Sequence, residues 1–255
     1  MPASYAHYRF GKQLFPELPA DVRQCVQRFR RMYDMGLHGP DIFFYQNPFL
    51  DTAAGKLGKQ IHRQSGQEFF AQAWAAADSE AARAYLYGLL AHYCLDAVCH
   101  PFVNKVVSSG EAEHVKLEAE FDRYLMAMDG ITAPHRHDMT RHMKLTRGEC
   151  MTIAAFYPTA TGANVSQSVR FMAFALRFLA GGDRQKREKL LQRLKASICD
   201  FFIPEAPVTA YARMDSELLA RFNRARKQYL QLLQKLQAYG KTGEPLGEEF
   251  LPTFG

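Results

Sequence analysis

In the segment AHYCLDAVCHP, His92, Asp96 and His100 recur at four-residue spacing. On an α-helix a step of four residues drifts only about 40° around the axis, so the three side chains share one face. Further on, EAEHVKLEAEFD repeats the spacing with His114 and Glu118. Tyr85, Leu86, Leu89, Leu90, Tyr93 and Leu95 fill most other angles of the first segment, which predicts a largely buried helix. Burying two imidazoles and a carboxylate without partners costs several kcal/mol. A divalent cation held between two facing helices removes that cost, and His with Asp and Glu in this number suits zinc.

Three further candidates are ordinary when taken singly: His7 in SYAHYRFG, Asp41 in HGPDIFF and His62 in GKQIHRQ. Asp41 follows Gly-Pro, where a turn can aim a carboxylate inward. His38 reads as a surface-turn histidine, Cys94 and Cys99 as buried thiols, and His135, His137 and His142 in PHRHDMTRH as members of a solvated loop. GxSxG, HExxH, P-loop and GxGxxG patterns are all missing, which removes serine-hydrolase, zincin and nucleotide-loop chemistries.

Taken in order, His7, the GPD of Asp41, His62, His92-x-x-x-Asp96, His100-Pro101 and His114-x-x-x-Glu118 resemble the zinc-dependent phospholipase C family. That helical superfamily also contains single-strand-specific zinc nucleases. The resemblance covers about residues 1–125. It implies one zinc on Asp41, His62, His92 and Asp96, and a second on His100, His114 and Glu118. It implies a third on His7, a bridging Asp96 and a free N-terminal amine. Here the chain departs from secreted relatives, whose exposed terminal residue is tryptophan. Its one tryptophan is Trp74, and loss of Met1 would leave Pro2 as the amine ligand.

The implied activity is phosphoester hydrolysis by in-line attack of a metal-activated water, with Asp41 positioning or deprotonating that water. A small phosphoester or phospholipid is the expected substrate. A nuclease or 3′-nucleotidase and a non-catalytic metal-binding scaffold are the alternatives. Phe43, Phe44, Tyr45 and Phe49 are candidates for a wall beside the metals, or for core.

Helical periodicity dominates, which predicts an all-α, single-domain, multi-helical bundle over residues 1–255. The metal-ligand region would span 1–125, a helical packing region 126–240 and an irregular tail 241–255. Predicted helices cover Ser4–Phe15, Ala20–Met35, Gly55–Ala77, Ser79–Val107, Glu111–Met128, Arg147–Phe156, Val165–Ala180, Arg184–Phe201 and Met214–Tyr239. GPDIFFYQNPF reads as a long polar-aromatic loop. The helix from Met214 reads as an amphipathic packing helix, with a basic membrane-surface helix as the alternative.

Five cysteines without a CxxC pair fit reduced thiols and a cytoplasmic location. The first residues lack the apolar run of a signal peptide, and the longest apolar stretch is far short of a membrane span. A formal charge of +6 with scattered Lys and Arg predicts a mildly basic, solvated surface.

Overall fold

The computed structural model describes residues 4–45, 53–193 and 201–255. Among the described residues the chain is all-helical, with eleven α-helices, short 3-10 turns and one isolated bridge between Ser65 and Thr253. In chain order the helices are α1 Ser4–Leu14, α2 Ala20–Arg28, α3 Arg30–Gly36, α4 Ala53–Arg63, α5 Gly66–Ala76 and α6 Glu80–Ser108. They continue with α7 His114–Met128, α8 Arg147–Ala154, α9 Gly162–Ala180, α10 Arg184–Arg193 and α11 Ala212–Thr242.

Helix α6 is the axis. Its side chains from Ala84 to Asp96 are buried without interruption, as expected for a helix apolar nearly all round. Ser79 starts it by accepting the Ala82 N–H at 3.2 Å. α3 and α11 pack most extensively on it, and α1, α2, α5, α7 and α8 complete the sheath. One apolar cluster runs through the molecule from Tyr5 to Phe254. Leu179, Leu191 and Phe202 form a small second cluster between α9 and α10.

Two predicted helices are each divided. The span Ala20–Met35 breaks at Phe29, whose backbone (φ −116°, ψ 42°) leaves the helical region between α2 and α3. The break redirects α3 into very close contact with α6. A Cβ on Gly88 would lie 2.1 Å from the Tyr33 carbonyl oxygen, and one on Gly36 would lie 2.3 Å from that of Tyr85. Only glycine permits this crossing.

The span Gly55–Ala77 breaks at Ser65, which caps α5 by accepting the Glu68 N–H at 3.3 Å. The Ser-x-x-Glu signal is present in the sequence, masked by hydrophobic periodicity that continues across it. The expected loop after His38 is instead a 3-10 segment, Gly39–Tyr45. The remainder of that loop, including Phe49, lies outside the described residues, as do Pro2, Cys199 and part of the predicted helix Arg184–Phe201.

On α11, Leu218, Phe222, Tyr229, Leu232, Leu233 and Leu236 are buried, so its apolar face packs on the core. The tail after α11, irregular apart from the 3-10 turn Glu248–Phe250, docks on the core. Phe250 and Phe254 are fully buried, and the Pro252 carbonyl accepts from the Gly66 N–H and the Tyr93 hydroxyl, each at 3.0 Å.

Gly88→Ala is expected to cost about 3 kcal/mol or more, because the added methyl meets a backbone oxygen that cannot rotate away. Urea unfolding of the variant beside Gly148→Ala, where the added Cβ meets nothing within 4 Å, measures it; equal midpoints would refute the close crossing.

Candidate metal centre

The long helix α6 carries three of the predicted residues on one stripe, and all three are buried: His92, Asp96 and His100. Across from them α7 contributes Glu118, also buried, and His114, about one-third exposed. α1 brings His7, the 3-10 segment brings Asp41, and the end of α4 brings His62. All eight predicted side chains within the described residues therefore converge from five elements.

Their donor atoms form three groups, each with atoms within 4.8 Å of one another: His7, Asp41 and His92; His62, His92 and Asp96; and His100, His114 and Glu118. Asp41 Oδ1 lies 2.9 Å from His62 Nε2, Asp96 Oδ2 lies 3.1 Å from His92 Nε2, and Asp96 Oδ1 lies 3.2 Å from His7 Nε2. His114 Nε2 lies 3.1 Å from Glu118 Oε1, and His100 Nε2 is 3.7 Å from the same oxygen.

Backbone carbonyls orient three of the rings. His62 Nδ1 bonds to the Gly58 carbonyl at 2.8 Å, His92 Nδ1 to that of Leu37 at 3.1 Å and His100 Nδ1 to that of Asp96 at 3.1 Å. A carbonyl can only accept, so each Nδ1 carries a proton, and in the neutral ring the lone pair of Nε2 is turned toward the cluster. His62 Nε2 and His92 Nε2 then face carboxylate oxygens, acceptor against acceptor. Both nitrogens, Asp96 Oδ2 and Glu118 Oε2 are buried without a hydrogen-bond partner. A cation between them satisfies what no donor does, and this donor set of imidazoles and carboxylates fits zinc.

The buried charges in the cluster offset one another. Burial works against ionised Asp96, but His100, His92 and His7 outweigh it and hold the carboxyl well below the usual range. Burial and the neighbouring His92 push His7 down, keeping it a neutral ligand. Burial also acts downward on His92, and the carboxylates of Asp96 and Asp41 reverse it. The hydrogen bond to Glu118 raises His114.

Glycine at position 39 (φ +49°) lets the chain pass the His92 ring, since a Cβ there would lie 2.6 Å from Cδ2. Of the aromatic wall, Phe43 and Tyr45 are core residues, and Phe44 is the ring beside His62, with centroids 4.9 Å apart. The space enclosed by His7, Asp96, His100 and Glu118 is about 30 Å³, enough for an ion or a water. A larger cavity of about 660 Å³, lined by Cys94, Pro101, Gln228 and Glu249, involves none of the eight residues.

Three participants escape a reading by spacing alone. Asp122, one four-residue step beyond Glu118, accepts the N–H groups of Tyr5 and Ala6 at 3.0 and 2.8 Å and so caps α1. Burial pushes its carboxyl up to about 8 against the pull of those two donors. Through this cap and the Asp129 pair with Arg9, α7 fixes the helix that carries His7.

The tail also reaches the site. Phe254 lies 6.0 Å from the His62 ring, the Gly255 N–H bonds to the His62 carbonyl at 3.2 Å, and a Cβ on Gly255 would touch the His100 ring at 3.3 Å. Finally, His38 and His142, expected at a surface turn and in a solvated loop, are joined through their Nε2 atoms at 2.6 Å. His142 is stacked on Tyr8. Burial, with each other's charge or that of Arg30, depresses both rings, His142 to about 4, so they share one proton as neutral imidazoles.

No curated protein and no solved structure matches the chain. The family model for zinc dependent phospholipase C matches residues 6–160. That span takes in more than half of the chain and α1 through α8, and the chain therefore belongs to the zinc-dependent phospholipase C family.

Proposed function

We propose that the protein is a zinc-dependent phosphoester hydrolase acting on a small phosphoester or a phospholipid headgroup. The observation that carries the reading is the set of buried imidazole nitrogens and carboxylate oxygens that face one another without hydrogen-bond partners. Asp41, His62, His92 and Asp96 would hold one ion, and His100, His114 and Glu118 a second. A third on His7 and Asp96 would need the terminal amine of Pro2, which lies outside the described residues.

Bound zinc would supply Lewis acidity toward the phosphoryl oxygens and the attacking water. The protein's own contribution is orientation. With four protein ligands the first position would be closed, as in structural zinc sites, whereas three at the second would leave room for a reacting group. His114, the most exposed of the eight, marks the side from which substrate approaches. Asp41, held 2.9 Å from His62, would orient or deprotonate the attacking water. Cys25, Cys94, Cys99 and Cys150 are free thiols, which suits the cytoplasm, and no helix among the described residues is long and apolar enough to cross a membrane.

Purified protein is expected to carry at least two zinc equivalents by elemental analysis, and chelation to lower its melting temperature, since structural zinc contributes on the order of 10 kcal/mol in small zinc domains. Absence of zinc together with no thermal shift on adding it would remove the metal assignment.

Asp96→Asn is expected to lower phosphoester turnover by at least about a hundredfold and to reduce bound zinc, because Asp96 faces three histidines and would be shared by two of the proposed ions. His38→Ala should retain the metal. Equal zinc content in the two variants, with unchanged circular dichroism, contradicts the role of Asp96. On a substrate panel, hydrolysis of short-chain phosphatidylcholine or a chromogenic phosphocholine ester supports the reading. Cleavage confined to single-stranded DNA, falling steeply between low and moderate salt, would assign a nuclease instead.

A further inference from the structure

Residues 162–193, which hold α9 and α10, contain seven Lys or Arg against Asp183 and Glu188, a net +5, and α11 carries the same net charge. The two acids are paired within α10, Asp183 with Lys186 at 3.7 Å and Glu188 with Arg184 at 2.6 Å. Among the described residues no carboxylate pairs with Lys144, Arg170 or Arg177, and these three line a groove of about 510 Å³ beside Phe174 and Phe178.

Apolar side chains accompany the charge. α9 buries Val165, Val169, Met172, Leu176 and Leu179 on one face. Its outward stripe alternates Arg170, Phe171, Phe174 and Arg177. Phe174 is 65% exposed and Phe171 39%, and Leu190 on α10 is 48% exposed. Phe174 is stacked near Phe178 at 6.1 Å. Apolar side chains grouped on a surface and rimmed by charged residues mark an interaction site more often than singly exposed ones do.

We infer that α9 and α10 form a docking face for an anionic phospholipid surface, with Phe171, Phe174 and Leu190 entering the headgroup and acyl boundary and Lys144 and Arg170 meeting lipid phosphates. Charge complementarity selects this occupant. Basic residues beside aromatic and aliphatic side chains are what an interfacial helix presents to acidic lipid. Rings without a polar tip, joined by a leucine, fit acyl chains better than the stacked bases of a nucleic acid. The inference does not depend on the hydrolase reading, because surface binding needs no turnover.

Cosedimentation of the full-length protein with phosphatidylcholine vesicles, with and without phosphatidylglycerol, tests it in the presence of a phosphodiesterase-inert lipid analogue. Binding is expected only to the anionic vesicles and should weaken as salt rises. Phe171→Ser with Phe174→Ser should lower the partition by at least about tenfold, and Lys144→Glu or Arg170→Glu by roughly fivefold per charge removed. All of these residues except Lys144 lie on the exposed stripe of α9, so melting temperatures should match the parent. Tryptophan substituted at Phe174 gives a second readout, a blue shift of its emission on anionic vesicles.

No binding to anionic vesicles overturns the inference, as does equal binding by the parent and the serine variant. A dimer in sedimentation velocity that Phe174→Ser dissociates would assign the face to a second copy. Retention of a single-stranded oligonucleotide that Lys144→Glu abolishes, without vesicle binding, would assign it to nucleic acid. Loss of phosphoester activity with vesicle binding intact would instead count against the hydrolase reading alone.

Discussion

Acceptors buried against acceptors set the terms for this fold. His62, His92 and Asp96, with Glu118 across the cluster, bring imidazole nitrogens and carboxylate oxygens into a buried space where one atom of each has no hydrogen-bond partner. Each such group left alone costs a desolvation penalty of about 1–3 kcal/mol or more, which a cation held between them would offset. Metal binding and folding would then be one equilibrium in the region around the cluster. The depressed pKa of Asp96 expresses part of the same balance, since the three imidazoles around it favour the charged carboxylate against the cost of burial.

The rest of the architecture serves to hold those atoms still. Backbone carbonyls at Gly58, Leu37 and Asp96 settle which nitrogen of each ring is protonated, a control that side-chain partners would exercise less rigidly. The Leu37 carbonyl is in place because α3 lies against α6 at the Gly36 and Gly88 crossing. The same crossing brings Gly39 beneath His92 and delivers Asp41 to His62. On the opposite side Asp122 caps α1 and so sets the depth of His7. One close helix contact and one cap thus connect the packing to the site.

What could be read from the sequence follows the reach of its periodicities. His92, Asp96, His100, His114 and Glu118 were legible because a four-residue step on a helix is a local fact. The all-helical class was legible for the same reason. Asp122 continues that step, yet its capping role depends on where α1 arrives from more than a hundred residues away. The pairing of His38 with His142 spans a similar separation. The docked tail had no periodic signal at all, since Phe250 and Phe254 are placed by the pocket that Phe69, Phe70 and Tyr93 make for them. The breaks at Phe29 and Ser65 were missed because hydrophobic spacing runs on through both, and helix direction is decided there by tertiary contact and a cap.

The two proposed positions differ in a way that separates holding from reacting. The one built on Asp41, His62, His92 and Asp96 draws on three different elements and is buried throughout, so any change in ligation there must move a 3-10 segment, α4 and α6 together. The one built on His100, His114 and Glu118 uses only α6 and α7, with a half-open edge at His114. Pro101, immediately after His100, lacks the N–H that the Ala97 carbonyl would otherwise accept, so α6 is less tightly bonded next to this position than next to His92. A site that must exchange substrate for product needs that lower rigidity at one ion and the opposite at its neighbour. The local bonding of α6, dense around His92 and loosened beyond His100, supplies both along a single helix.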